Sequence, residues 1–295
     1  SVIAEIIQSD AEDPLAITTR EYDFIISTFD ITTSTLAGEL WTPADTTTEA
    51  WYETGDAATV VLNTALDKVA TLLDKSGNAR DITNDNDTIR PLWDDVNKAL
   101  NYPTQVDNRL QATLPGAVID ADHAYVSFVD WFQITASDVY LQFIQLASGT
   151  LEYNLWFYNK AVNRAMQAYI KSLGEPATVD QFLTAGPGRV LLAITRNGTD
   201  WTLRFNGEVV GTATRTVAAF PASNTLILGD GDFSNARNPE HLFYEGVLLP
   251  GVADVEKTEG YLAWKYGEEA NLPAGHPYKS AAPTVDEPLP PTDGT

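Results

Sequence analysis

Asp254, Glu256 and Glu259 are the acids whose spacing comes nearest to a catalytic pair. Hydrolysis of a glycosidic bond needs two carboxylates about 5–9 Å apart. On a strand that calls for an acid-x-acid alternation, because side chains two apart share a face. These three acids fall in a segment that reads as a helix, and the β segments carry no Glu-x-Asp-x-x-Glu run. A Ser-His-Asp triad fares no better. The three histidines are His123, His241 and His276, and none accompanies a Gly-x-Ser-x-Gly elbow. His276 precedes Pro277 and reads as a packing or solvent-facing residue. So few histidines, with no cysteine, argue against zinc and exclude thiolate ligands, thiol nucleophiles and disulfides. Gly186-Pro187-Gly188 lacks the Lys-Ser/Thr of a phosphate loop and reads as a turn. The reading is of a chain without catalytic geometry, with no catalytic residue assigned.

Binding chemistry has more support. Hard cations take clustered oxygen ligands from loops, and Asp74, Asn78, Asp81, Asp85 and Asp87 offer them for calcium, the one cofactor considered. No EF-hand spacing is present, and Asp and Asn are also ordinary turn formers. A glycan would use an exposed aromatic platform; Trp131, Trp156, Trp201 and Tyr158 are the candidates, and core packing is the competing reading for each. Tyr261 and Trp264 are expected to clamp the helix to a sheet. With 18 basic against 41 acidic residues, the formal charge of −23 repels phosphates and anionic membranes, so neither nucleic acid nor membrane is expected as a partner. No apolar run reaches the ~18 residues of a membrane span. The N-terminal residues lack the basic and apolar regions of a signal peptide, so export is expected by another route.

The elements that must position these groups are mostly strands. Thr59–Leu62 and Lys68–Leu73 are short apolar runs, followed by a turn at Asp74–Asn78. Ala124–Ile134 and Val139–Leu146 are rich in aromatic and β-branched residues. Leu151–Leu173 fits either a helical face or an aromatic strand. Arg189–Thr214 contains Asn197-Gly198 and Asn206-Gly207 between short apolar runs, the signal of a three-stranded meander on two type I′ turns. Thr225–Leu228 and Leu242–Val247 add two strands. One helix is expected, capped by Asp254, with Val255, Leu262 and Tyr266 on one face and Gly267 at its end. Residues 21–31 read as a strand in an N-terminal arm, and Ser280–Thr295 holds four prolines, three acids and no base, as an extended tail does. Short strands at regular spacing with many turn residues predict a sandwich.

Two motifs carry a resemblance. The first runs through Trp41-Thr42-Pro43-Ala44, Ala50-Trp51-Tyr52-Glu53-Thr54-Gly55-Asp56, Asp74-Lys75-Ser76-Gly77-Asn78 and Arg90-Pro91. The second runs through Tyr244-Glu245-Gly246-Val247-Leu248, the segment Lys257–Gly267, and Leu272-Pro273-Ala274-Gly275-His276-Pro277-Tyr278-Lys279. Together they resemble the concanavalin-A-like, laminin-G-like domains of tailed-bacteriophage virion proteins. The chain departs from that pattern at Glu53–Asp56, where the family more often shows Asp-Ala-Ser-Asp. The resemblance implies an all-β, two-sheet antiparallel jelly-roll sandwich with one short C-terminal helix and extended terminal segments. The chain then divides into an arm over 1–40, a sandwich over 41–279 and a Pro-rich acidic tail over 280–295, with the arm, the tail or both expected to attach to the virion. It implies a structural role on the virion surface, as capsid decoration or a tail or fibre component, in many copies or as a homo-oligomer beside other virion proteins. An adhesin for a host surface glycan is the alternative; a polysaccharide depolymerase is a third reading that would require glycan turnover.

Overall fold

The computed structural model describes residues 39–63, 67–103, 108–131, 139–148, 151–160, 163–172, 175–182, 188–214, 216, 223–229 and 241–285, with the backbone only over 131–182. The arm and the tail beyond 285 lie outside the described residues.

In chain order the strands are β1 (Ala50–Glu53), β2 (Val60–Asn63), β3 (Lys68–Leu72), β4 (Ile82–Thr83), β5 (Leu92–Asp94), β6 (Ala99–Tyr102), β7 (Arg109–Pro115), β8 (His123–Trp131) and β9 (Val139–Ser148). They continue as β10 (Leu151–Lys160), β11 (Asn163–Ser172), β12 (Glu175–Phe182), β13 (Gly188–Asn197), β14 (Asp200–Phe205), β15 (Glu208–Thr214), β16 (Ser223–Gly229) and β17 (His241–Leu249). The helices are α1 (Gly116–Asp120) and α2 (Val255–Tyr266).

All described pairings are antiparallel, and they resolve into two sheets. The first runs β17-β8-β13-β14-β15, with β1 and β6 sharing the free side of β17. The second runs β2-β3-β4-β7-β16-β9-β10-β11-β12. β5 pairs with β6 and touches β3 at Lys68↔Leu92, which joins the two sheets along one border. The chain is thus the all-β two-sheet sandwich that its strands predict. The ambiguous segment 151–173 forms the two strands β10 and β11; its aromatic run prevails because each strand finds a partner on both sides.

The space between the sheets holds Tyr52, Leu72, Ile82, Leu100, Tyr125, Leu192, Trp201 and Phe243. Each large side chain removed from water here contributes about 1.5–3 kcal/mol. A second apolar layer lies on the other face of the first sheet, where Phe128, Leu191, Leu242, Tyr244 and Val247 meet Val255, Leu262 and Ala263 of α2 and Leu272 beyond it. That layer explains a feature of the sequence. An antiparallel sheet with one wet face alternates apolar and polar residues, but β17 is buried along its whole length and β13 over Val190–Thr195. Both strands are covered on both faces.

The meander β13-β14-β15 forms as expected, with one change of turn. Asn206 and Gly207 have φ of 49° and 80°, the two positive values that a type I′ turn requires. In the first hairpin Asn197 pairs with Asp200, so the two-residue turn is Gly198-Thr199. Only Gly198 is left-handed there, as in a type II′ turn, whose first central residue is glycine. Asn197 therefore belongs to the strand.

Helix α2 ends where glycine permits it, with Gly267 at φ 70° accepting the left-handed C-cap conformation. Its start differs from the expectation. Asp254 occupies the N-cap position without a side-chain cap bond, and its carboxylate instead accepts the Thr46 hydroxyl at 2.6 Å. The chain enters and leaves the sandwich side by side: Leu40 bridges Thr284, Trp41 N–H donates to the Pro283 carbonyl at 3.0 Å, and Val285 N–H to that of Glu39 at 2.9 Å.

Candidate functional site

The antiparallel register of β1 on β17 sets Glu53 directly opposite Glu245. A facing-strand carboxylate pair does exist, though the spacing of acids along the sequence gave no sign of it. Like charges so placed repel. Lys265 of α2 resolves the repulsion by sitting between them, 2.6 Å from Glu53 Oε1 and 2.7 Å from Glu245 Oε2. Its third proton goes to the Tyr261 hydroxyl at 2.8 Å. Glu245 is fully buried, and each of its oxygens has two donors. Trp51 Nε1 at 2.7 Å and the Tyr261 hydroxyl at 3.1 Å serve Oε1; Lys265 and the Tyr266 hydroxyl at 2.9 Å serve Oε2. On the open side, Lys75 reaches Glu53 at 2.6 Å and Asp56 at 3.1 Å, and lies over the Trp51 ring at 4.5 Å.

The two glutamates respond in opposite directions. Burial pushes the Glu245 carboxyl above the usual range against the pull of Lys265, and the neighbouring Glu53 adds to the rise. Burial also works against charge on Glu53, but hydrogen bonds from Lys265 and Lys75 prevail and hold it below the usual range. Opposed shifts in a carboxylate pair are the pattern of an acid–nucleophile couple. The surroundings assign another role. A general acid must offer its proton to a substrate oxygen within hydrogen-bond reach. Here the side chains of α2 cover Glu245, and a lysine bridges the two carboxylates. The pair fastens the C-terminal half of α2 to the sheet.

A second buried pair fastens the other half. Arg204 of β14 forks onto Glu259 with two bonds of 2.8 Å and reaches the Gly207 carbonyl at 2.9 Å. His276 Nε2 approaches the same carboxylate at 3.3 Å. His276 is therefore a buried packing residue, and its ring would stand 2.8 Å from a Cβ at Gly207. The three acids singled out at 254–259 have three separate duties: Asp254 holds Thr46, Glu256 lies at the rim 3.4 Å from Arg204, and Glu259 is enclosed. The other two histidines are dispersed. Burial lowers His123 to about 4, and its Nδ1 lies 2.9 Å from the Ala121 carbonyl; His241 stacks on Tyr102 with ring centroids 4.6 Å apart.

The proposed aromatic clamp divides in two. Tyr261 does fasten α2 to the sheet through Glu245. Trp264 faces the C-terminal segment, donating to the Tyr278 carbonyl at 2.8 Å. Tyr278 packs so closely on α2 that a Cβ at Gly260 would stand 2.5 Å from its own Cβ. Trp201 is core, 1% exposed between the sheets. The side chains of Trp131, Trp156 and Tyr158 lie outside the described residues.

The acidic loop is held by its own oxygens. Asp74 accepts from the backbone N–H of Trp51, Ser76 and Arg80, at 2.9 to 3.0 Å, and Asp81 accepts from the N–H of Asp74 at 2.8 Å. Asn78 donates to the carbonyls of Thr48 and Glu49. Asp87 pairs with Arg90 and Asn63, and Asp85 stands apart on the exposed turn. Among the described residues, no group of three or more His, Cys, Asp or Glu side chains is arranged to hold a metal ion. The departure at Glu53–Asp56 also has a structural meaning: Thr54 donates its N–H to the Tyr244 carbonyl at 2.9 Å, and its hydroxyl lies 2.6 Å from the Lys98 carbonyl.

No family model matches the chain, and no curated protein matches it. Solved structures do. The binding domain of Paraclostridial Mosquitocidal Protein 1 aligns with a TM-score of 0.54 and 12% identity, over 76% of this chain and 53% of that one. The binding domain of botulinum neurotoxin serotype D aligns with a TM-score of 0.52 and 11% identity, over 71% and 50%. A botulinum neurotoxin type C structure, described as dependent on two ganglioside molecules for cell entry, aligns at 0.50 and 9% identity, over 64% and 49%. The chain spans about half the length of these neighbours. At such identities the likeness defines the class by fold alone: a two-sheet antiparallel β-sandwich.

Proposed function

We propose that the chain is a non-enzymatic recognition module of a bacteriophage particle, a lectin-like sandwich displayed at the virion surface to bind a host glycan. The observation that carries this reading is the sandwich itself, shared with toxin domains whose descriptions speak of binding and, in one case, of gangliosides. The enclosed carboxylates support its non-catalytic half, since the three buried glutamates among the described residues, Glu53, Glu245 and Glu259, are each held by a cation from a neighbouring element. The phage setting rests on the motif resemblance at residues 41–56 and 244–279. The bridge between Leu40 and Thr284 brings the two ends of the described sandwich side by side. Two assays test the reading. Purified protein on an array of bacterial surface glycans should bind saturably, and antibody to it should label intact particles. A wild-type protein that binds no glycan but labels particles supports structural decoration instead.

A further inference from the structure

Asn197-Gly198 and Asn206-Gly207 are the same dipeptide at the two turns of one meander. An asparagine followed by glycine can react with its own backbone. The glycine nitrogen attacks the asparagine Cγ, because no side chain on the glycine obstructs the approach. A bond forms between that nitrogen and Cγ, the side-chain nitrogen leaves as ammonia with the proton given up by the glycine N–H, and the product is a cyclic imide. Water then opens the ring at either carbonyl, giving aspartate or its isomer linked through the side chain. The step consumes only water. It requires an asparagine side chain free to turn onto the next nitrogen, a turn with room for the ring, and a base within reach of the N–H.

The two sites meet these needs differently. Asn206 is locked. Its N–H donates to the Leu191 carbonyl and its Oδ1 accepts from the Leu191 N–H, both at 2.9 Å, so backbone and side chain are pinned to β13 together. Gly207 is buried, its carbonyl accepts from Arg204 at 2.9 Å, and a Cβ there would stand 2.8 Å from the His276 ring. Asn197 and Gly198 are exposed, and among the described residues no group holds the Asn197 side chain. The pairing of Asn197 with Asp200 is the last of its ladder, where strands open most readily. A Cβ at Gly198 would meet nothing within 4 Å, so the turn has room for the ring and for the water that opens it. A base is in place as well. Gly198 N–H donates to Asp122 Oδ1 at 2.6 Å, within the reach that proton abstraction requires.

We infer that Asn197-Gly198 is a site of self-modification, where the chain converts its own asparagine to aspartate and isoaspartate, and that Asp122 takes the Gly198 proton. Each event adds a carboxylate beside Asp122, and the isomer puts an extra carbon into the backbone at the hairpin tip. The test is peptide mapping of the full chain after incubation at mildly alkaline pH, both folded and in urea. Trypsin cleavage at Arg196, Arg204 and Arg215 puts the two pairs on adjacent peptides, residues 197–204 and 205–215. In urea both should gain the mass of an amide-to-acid conversion at similar rates. In the folded protein, read when the urea sample is half converted, residues 197–204 should gain it roughly tenfold faster than residues 205–215, since the backbone bond that must break to free the Asn206 side chain is worth about that factor. Asp122→Asn, which keeps the shape but cannot take the proton, should slow the conversion several-fold at an unchanged melting temperature. A folded protein that converts neither peptide, both alike, or residues 205–215 first overturns the site. An Asp122→Asn rate equal to or above that of wild type overturns the part given to Asp122.

Discussion

Glu245 ties β1, β17 and α2 together from a fully buried position. Four donors from β1 and α2 converge on it, and none of it is exposed. Removing one partner of a buried pair leaves an uncompensated charge and costs about 3–5 kcal/mol. Glu245→Ala is expected to fall at or below the foot of that range by urea denaturation, because Trp51, Tyr261 and Tyr266 lose their acceptor while the partly exposed Lys265 keeps Glu53; Glu245→Gln, which keeps the shape and some acceptors, should cost less. Gly260 makes a separate demand. A methyl there would stand 2.5 Å from the Cβ of Tyr278, a side chain that cannot swing away. Gly260→Ala should therefore lose about 1–3 kcal/mol, the usual cost of overpacking, and a melting temperature that does not move would contradict the packing described for residues 257–279.

At the scale of elements, α2 behaves as a strap fastened at two places. Arg204 holds its middle from β14, and Glu245 with Glu53 holds its end from β17 and β1. Arg204→Ala should lower hydrogen-exchange protection in α2 before it affects β8 or β17, because the released Glu259 is the helix's own buried charge. Gly207 couples this strap to the meander, so Gly207→Ala meets both a left-handed φ of 80° and the His276 ring, and should destabilise more than Gly198→Ala, whose Cβ meets nothing within 4 Å. Much of this was legible in the sequence. The Asn-Gly pairs and aromatic runs gave the strands β8, β9, β13 to β17, and the Asp254-to-Gly267 pattern gave the helix. The short strands β1, β4, β5 and β6 were not legible, because three or four residues carry too little periodicity. Nor was the Glu53–Glu245 pair, since only the register of two strands far apart in the chain brings those residues together. Asp254 looked like a cap by type and position; a threonine from distant sequence, Thr46, took its carboxylate.

The whole molecule carries 41 acids, and its response to pH combines two opposed buried groups. Glu245 has a raised pKa in the folded state, so it binds its proton more tightly there than in the unfolded chain. Its contribution is fully present below the unfolded value near 4.5 and is lost as pH rises through the folded value. Glu53 is depressed, so its contribution is present above that unfolded value and is lost as pH falls through the folded one. Relief of self-repulsion on acidification adds to the Glu245 effect. Stability should therefore rise as pH falls from the folded Glu245 value towards 4.5 and fall again at stronger acid, and Glu245→Gln should flatten that rise in a melting-temperature profile. The central claim, however, is recognition without turnover. Its most direct measurement is to incubate the protein with the array glycan it binds best and follow both binding and the glycan's mass over time. The account predicts saturable, reversible binding with the glycan recovered intact; cleavage products, or the absence of any bound glycan, would contradict it.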